Sequence, residues 1–300
     1  MALTHQLDAR GTPVREFFET RFPAAQFKPI SKAWRETVRA AEIACAPPEG
    51  VNPGTIGTAF DYRARLCWAP IEWETTVAAG GTMKVFGLGR ADLGVLAFEL
   101  QEELARVASE RCGEDLADEL EERVSRCCYA LALYEQFFRT LAAAASSPLL
   151  ELGKRATIED VLAIAPQAAV EDLSAMARLL CTSYPELVGQ EAVLNPRFDG
   201  SVEIRGADAD VIVDRTLLEL KTTRQDSFER VNHVYQLLGY ALLDYSNQYK
   251  LQVVGVYLAR RGLLVRWEIA ELLSVCCDTE DFDALRVAFR EAVLESVANE

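Results

Sequence analysis

The distribution of apolar and polar positions changes character near residue 190. Before that point apolar residues recur at helical spacing, and long helices are predicted over roughly 91–111 and 114–143. Ser31 is predicted to cap a helix that ends near Ala46, and Thr157 marks another helix start. Residues 1–190 are therefore predicted to form a mostly helical region that packs on or caps a second region.

The second region, 191–300, has the pattern of strands. The segments EAVLNP, SVEIRGADADVIV and TLLELKTT are rich in β-formers and are punctuated by Pro, Gly and Asp. A helix capped by Asp226 and running to about Tyr245 is predicted next, followed by the strands LQVVGVYL and LLVRWEI and a last helix at about 280–297. This order predicts an α/β (α+β) core whose mixed sheet combines a hairpin with a βαβ crossover.

The hairpin gathers charged residues on one face. If residues 214–215 form the turn, Asp210 lies opposite Glu219 and Asp208 lies opposite Lys221. Directly opposed Cβ atoms are roughly 4.5–5.5 Å apart, so two carboxylates there can share one cation. The same pattern also fits a solvated hairpin face with a plain ion pair between Asp208 and Lys221.

The charge balance affects which partners are expected. The net charge of −15 argues against nucleic acid, because an acidic surface repels phosphates. Residues 191–266, however, contain ten acidic and ten basic residues, so the whole excess of negative charge lies elsewhere in the chain. The acidic helical region favours a protein partner, whereas the strand-rich segment remains compatible with nucleic acid.

Other features of the composition indicate a soluble protein. No apolar run reaches the roughly 18 residues that a membrane span needs, and the first residues lack the apolar core of a signal peptide. A cytoplasmic protein without membrane contact is expected. The eight cysteines form no CxxC pair, so buried reduced thiols are favoured over a zinc site.

Three motifs together resemble one enzyme superfamily. GADADVIV, then LLELKTT, then a helix with QLLGY at 236–240 resemble the PD-(D/E)xK nucleases, and particularly their RecB-like branch. The resemblance extends from Asn195 to Trp267. It implies a restriction-endonuclease-like core that hydrolyses DNA phosphodiester bonds with Mg²⁺ or Mn²⁺.

The resemblance also implies roles for residues of the hairpin. Asp210, Glu219 and the backbone carbonyl of Leu220 are the expected metal ligands, and Mg²⁺ does prefer oxygen ligands. Lys221 is expected to hold the attacking water or to stabilise charge on the phosphate. Asp208 is expected either to partner Lys221 or to act as an accessory metal ligand.

Further site residues are expected on helices. Gln236 and Tyr240 are four residues apart and so share a helix face. The resemblance implies that Gln236 orients the water or Lys221 and that Tyr240 supports the substrate or the local fold. The alternative is an amide that reaches solvent and a tyrosine that packs in the core. His233 is expected at the surface, and Asp61 is the candidate for the His or acid that this branch often carries on an upstream helix.

Several whole-protein hypotheses follow. The leading one is a metal-dependent nuclease acting on DNA, and the alternative is a non-catalytic protein-interaction module that retains a nuclease-like fold. An unrelated enzyme whose hairpin matches by chance is the third. Candidate phosphate contacts for the leading hypothesis are Arg197, Arg205, Arg224, Arg230, Arg260, Arg261 and Arg266.

Overall fold

The chain divides into two units. One unit consists of residues 1–43 together with 190–300, and the other consists of residues 44–189. The ranges described by this computed structural model are 2–109, 118–139, 144–207, 209–279 and 281–299.

Helices account for most of the regular structure. Their bounds are α1 (Leu3–Asp8), α2 (Pro13–Arg21), α3 (Lys28–Ala40), α4 (Pro53–Arg65), α5 (Val77–Gly87), α6 (Ala91–Ser109), α7 (Asp118–Arg139), α8 (Ile158–Ala163), α9 (Gln167–Ser183), α10 (Pro185–Val188), α11 (Gln236–Leu243), α12 (Ile269–Cys276) and α13 (Phe282–Ala298). Across the described ranges, no helix has both the length and the apolar character needed to cross a membrane.

One five-stranded sheet lies in the unit that contains both chain ends. Its strands are β1 (Ala192–Leu194), β2 (Val211–Val213), β3 (Thr216–Lys221), β4 (Val253–Leu258) and β5 (Leu263–Glu268). Their spatial order is β1-β2-β3-β4-β5, with β3 and β4 parallel and the other neighbours antiparallel. Helix α11 forms the crossover between β3 and β4. The predicted mixed α/β class, with a hairpin followed by a βαβ crossover, is confirmed.

An aromatic cluster packs the first helices onto this unit. Phe18 of α2 stacks on Tyr235, with ring centroids 4.8 Å apart, and also contacts Phe289 of α13. Burying large aromatic side chains provides much of the driving force for packing. The start of α2 is also fixed locally, because the Thr12 side chain accepts a hydrogen bond from Arg15 N–H.

Two predicted helix caps are wrong. Ser31 lies inside α3, which starts at Lys28 and ends at Ala40. Asp226 caps no helix, because its carboxylate accepts a hydrogen bond of 2.7 Å from Arg39. The predicted helix from Asp226 instead begins with a π-helical segment, Val231–Tyr235, that leads directly into α11. The residues between β3 and this segment are irregular.

In the unit formed by residues 44–189, helices α4 and α7 are joined by buried polar contacts. Tyr62 donates a hydrogen bond of 2.6 Å to Glu135, and Arg63 forms a buried ion pair with Glu121. The predicted capping of α8 is confirmed, because Thr157 and Asp160 form a reciprocal capping box.

Candidate active site

The register of the β2–β3 hairpin positions the two predicted metal ligands. Its paired positions are Val211 with Leu218, Ile212 with Leu217 and Val213 with Thr216. This is the predicted register, and the turn at residues 214–215 has φ angles of 43° and 59°, as a type I′ turn requires. Asp210 comes directly before β2 and Glu219 comes directly after the paired residues of β3, so both acids lie at the open end of the hairpin.

The Asp210 carboxylate is bound to the backbone of β3. Its Oδ2 accepts a hydrogen bond of 2.6 Å from the Leu220 N–H, a donor that a longer antiparallel ladder would have paired with a backbone carbonyl. In an extended strand the N–H and the C=O of one residue face the same neighbouring strand. The Leu220 carbonyl, which is the third predicted metal ligand, therefore faces the side on which Asp210 lies.

Glu219 is the most buried acid of the site, with only 6% of its surface exposed. Its Oε1 accepts hydrogen bonds from Lys221 Nζ at 2.7 Å and from Gln236 Nε2 at 3.0 Å. Its Oε2 is buried and has no hydrogen-bond partner within the described part of the chain. Removing a carboxylate oxygen from water without a partner is costly. Oε2 is therefore the atom to which a bound cation would supply the missing contact.

Lys221 is surrounded by negative charge. Burial by itself lowers the pKa of Lys221, but the charge and the hydrogen bond of Glu219 outweigh that effect. Asp210 and Glu229 add smaller contributions in the same direction, so the pKa of Lys221 is raised above its usual value. The side chain remains a cation at neutral pH.

The π-helical segment and α11 bring Gln236 and Tyr240 to the site. Gln236 is buried, and its Nε2 donates to the Tyr240 hydroxyl at 3.1 Å as well as to Glu219. Its amide therefore does not reach solvent. The Tyr240 ring is buried and stacks on Phe198 with an interplanar angle of 13°. π-Helical turns are frequent at functional sites.

His233 is buried, which contradicts the prediction that it lies at the surface. Its ring stacks on Trp34 with centroids 4.3 Å apart, and its Nδ1 accepts a hydrogen bond of 3.1 Å from the Glu229 N–H. Because Nδ1 is an acceptor, the proton of the neutral ring belongs on Nε2. Burial lowers the pKa of His233 to about 4, and the nearby charge of Lys221 acts in the same direction. The ring is therefore neutral at physiological pH.

The remaining predicted site residues have different positions. Asp208 lies outside the described residues. Asp61 lies on α4 in the other unit, where both of its oxygens accept hydrogen bonds from Arg65. Its role as an upstream ligand stays a prediction.

The candidate phosphate contacts have three kinds of surroundings. Arg230 is half-buried, and its Nη2 lies 3.7 Å from Glu19. Arg260 is buried and donates to the Thr222 carbonyl at 2.7 Å, while Arg261 donates to the carbonyls of Ala41 and Arg224. These two guanidinium groups hold the chain that follows β3. The arginines with exposed side chains are Arg197, Arg205, Arg224 and Arg266.

Glu229 is a neighbour of the site that sequence reasoning missed. Its charge contributes to the raised pKa of Lys221, and its backbone binds His233. One signal was available in the sequence. Glu229, His233, Gln236 and Tyr240 recur at spacings of four, three and four residues, which is the spacing of one helix face.

The donor set is compatible with a hard divalent cation. Among the described residues, no group of three or more His, Cys, Asp or Glu side chains is arranged to hold a metal ion. Mg²⁺ commonly takes only one or two protein carboxylates and completes its shell with water and phosphate oxygens. Asp210, Glu219 and the Leu220 carbonyl are oxygen donors of that kind.

Comparisons with known proteins add no assignment to this geometry. No protein-family model, curated protein or solved structure matches the chain.

Proposed function

We propose that the chain is a metal-dependent nuclease that hydrolyses DNA phosphodiester bonds on a restriction-endonuclease-like core of the RecB-like type. The observation that carries the proposal is the environment of Glu219. One of its oxygens is bound by Lys221 and Gln236, and the other is buried without a partner in the described chain. Asp210 is bound to the backbone of Leu220, the residue between Glu219 and Lys221.

Each of these residues has a role in the proposed reaction. Asp210, Glu219 and the Leu220 carbonyl would hold Mg²⁺ or Mn²⁺. When bound, such a cation supplies Lewis acidity toward a phosphate oxygen and lowers the pKa of a bound water. Lys221 stabilises the negative charge that grows on the phosphate, because its raised pKa keeps it protonated. Gln236 fixes the Glu219 carboxylate by donating to Oε1.

The test is cleavage of labelled DNA by the purified protein with Mg²⁺ or Mn²⁺. Glu219→Gln and Lys221→Met should each lower the cleavage rate about 100-fold or more, since each removes a charge from the reacting centre. Matched controls are Glu268→Gln and Lys250→Met, which make the same changes at exposed positions of the same unit.

The controls should cut at the wild-type rate, and all four variants should retain the wild-type circular dichroism spectrum. Cleavage that persists in both Glu219→Gln and Lys221→Met, while EDTA abolishes it, would show that a metal acts elsewhere in the chain. The proposed site would then be rejected.

A non-catalytic interaction module with the same core is the second candidate. The direct ion pair between Lys221 and Glu219 favours it, because the charge of the lysine already neutralises the carboxylate without a metal ion. Such a module would bind a protein partner through its acidic helical region. Calorimetric titration with Mg²⁺ and Mn²⁺ discriminates the two candidates. A binding isotherm that is lost in Glu219→Gln supports the nuclease, and no isotherm in the wild type supports the module.

A further inference from the structure

Helix α3 has a strongly basic side within an acidic protein. Lys28, Lys32, Arg35 and Arg39 are separated by four, three and four residues, and the helix contains a single acid, Glu36. At about 100° per residue these four cations fall within an arc of about 60°, and they extend about 16 Å along the helix axis. We refer to these four residues as the α3 basic stripe.

The opposite side of α3 is fixed against the candidate site. Ile30, Trp34 and Val38 are buried, and Trp34 stacks on His233. The Trp34 Nε1 donates to the Asp226 carbonyl at 3.1 Å. The helix is therefore attached to the segment that connects Lys221 with Gln236, and its basic stripe lies beside that segment.

The cations of the stripe have few strong partners. The Lys28 side chain has no hydrogen bond or ion pair within the described ranges, and Lys32 reaches Glu36 only at 3.8 Å, with both side chains largely exposed. Arg35 donates to the Ser31 carbonyl of its own helix. Exposed ion pairs are weak in water, so the three remain available to an external anion. Arg39 differs, because it holds Asp226.

A cleft of about 590 Å³ adjoins the stripe. Lys28, Ser31 and Arg35 form its α3 wall, residues 228–232 form the facing wall, and Asp8, Ala24 and Phe27 complete the lining. Within that facing wall, Arg230 has a buried Nε with no hydrogen-bond partner among the described residues, while its Nη2 lies 3.7 Å from Glu19. Phe228 is a half-buried aromatic side chain that packs against Phe27 and Trp34. Cations that follow a backbone, together with an aromatic side chain, are the elements with which proteins bind single-stranded nucleic acid.

The wall of the cleft is continuous in sequence with the candidate site. Residues 228–232 lie between Lys221 of β3 and Gln236 of α11, and His233, which follows them, stacks on Trp34 of α3. A strand that enters the cleft therefore meets the segment that leads to Gln236, the donor to Glu219.

We infer that the α3 basic stripe and the adjoining cleft bind the sugar–phosphate backbone of single-stranded DNA and feed it to the hairpin end. This inference rests on the proposed nuclease function. It assigns the substrate surface to a helix more than 150 residues from the catalytic motifs in sequence, and to none of the exposed arginines of the strand-rich segment.

The test is the salt dependence of binding to a labelled oligothymidine, measured by fluorescence anisotropy in EDTA so that no cleavage occurs. The triple variant Lys28→Ala, Lys32→Ala, Arg35→Ala leaves Arg39 and its contact with Asp226 in place. The logarithm of the association constant falls linearly with the logarithm of the salt concentration, and each lost contact to a phosphate of a single strand makes this slope shallower by about 0.7. The slope of the variant should therefore be shallower by about 2, and the variant should bind at least tenfold more weakly at low salt.

The matched control is Lys84→Ala, Lys154→Ala, Arg155→Ala, which removes three exposed cations from the other unit and changes the net charge equally. It should keep the wild-type slope. An unchanged slope in the α3 variant, or an equal loss in the control, would overturn the inference. Duplex DNA bound as tightly as the single strand, with the same loss of slope, would overturn the assignment to single strands.

Failure of this inference is distinguishable from failure of the nuclease proposal. Glu219→Gln should bind the oligonucleotide in EDTA as the wild type does and should not cut it with Mg²⁺. If cleavage depends on Glu219 and the α3 variant binds as the wild type does, only the DNA-binding role of the α3 basic stripe is rejected. If the α3 variant loses binding but the wild-type protein does not cut DNA, only the nuclease function is rejected.

Discussion

The burial of His233 predicts a loss of stability in acid. The pKa of its ring is lowered to about 4 in the folded chain, first by burial and second by the charge of Lys221. In the unfolded chain it returns to about 6.5. Between these two values the unfolded chain binds a proton that the folded chain does not, so the free energy of unfolding rises with pH. The loss therefore begins as the pH falls below about 6.5 and is complete near pH 4.

The size of the effect follows from the two pKa values. Their difference of about 2.5 units corresponds to about 3.4 kcal/mol once both states are protonated, at roughly 1.36 kcal/mol per unit. At pH 4.5 the folded ring is still mostly neutral while the unfolded ring is charged, and linkage gives about 2.5 kcal/mol of lost stability relative to pH 7.5. Carboxylates titrate over the same range, so the contribution of His233 must be measured against variants.

Two substitutions remove the titration in different ways. His233→Asn leaves an amide oxygen that can accept the hydrogen bond from Glu229, and His233→Phe keeps a ring that can stack on Trp34. The free energies of unfolding are measured by urea titration at pH 7.5 and pH 4.5. Unfolding is monitored by tryptophan fluorescence in a background in which Trp68 and Trp73 are replaced by Phe. The remaining tryptophans, Trp34 and Trp267, then report on the unit that contains His233.

For both variants, the free energy of unfolding relative to the wild type should rise by about 2.5 kcal/mol when the pH is lowered from 7.5 to 4.5. This change does not depend on how much stability each variant loses at pH 7.5. The chain has only two histidines, so an NMR titration with His5→Gln as the reference assigns the His233 ring without ambiguity. A His233 ring that titrates near pH 6.5, or equal pH dependence in wild type and variants, would refute the reasoning.

Two further predictions follow from single contacts. Gln236→Leu should lower the free energy of unfolding, measured in urea, by about 1.5–3 kcal/mol because the buried Glu219 carboxylate loses a donor. Tyr240→Phe removes only one neutral hydrogen bond and should lower it by about 0.5–1.5 kcal/mol. Equal losses in the two variants would contradict the assigned partners. The Cys67 and Cys181 sulfurs lie 3.4 Å apart, so oxidised glutathione should take two electrons and two protons from this pair to form a disulfide and release two reduced glutathiones. Mass spectrometry should show the loss of two hydrogens in the wild type and not in Cys181→Ser.

The hairpin could be predicted from sequence because local and tertiary requirements agree there. Asp214 and Arg215 give a two-residue turn, and the alternating flanking residues have a register that this turn fixes. Gln236 and Tyr240 could be predicted as neighbours because four residues separate them on one helix. In both cases the deciding interactions lie within a few residues of each other along the chain.

The surroundings of the site depend on long-range contacts and were not predictable in the same way. Asp226 has the local signature of a helix cap, but Arg39 and Trp34 of α3 bind its carboxylate and its carbonyl. His233 was expected at the surface because an isolated histidine lies there more often than in a core. Trp34, almost 200 residues earlier, stacks on the ring and Phe228 packs beside it, and burial lowers its pKa.

The position of the polar groups follows from where the regular hairpin ends. Within the paired region, residues on both faces are buried, with Ile212 and Leu217 on one face and Val211 and Leu218 on the other. A shift of the register by one residue would exchange buried apolar side chains between the two faces and would expose none of them to water. The alternation of polar and apolar residues therefore does not fix the register here, and the turn and the core packing together must do so. At Asp210 the ladder stops, and its carboxylate binds the N–H that the ladder would have used. A polar centre can exist at that point because backbone donors become available there, beside a core that buries Glu219 and leaves Asp210 and Leu220 half-exposed.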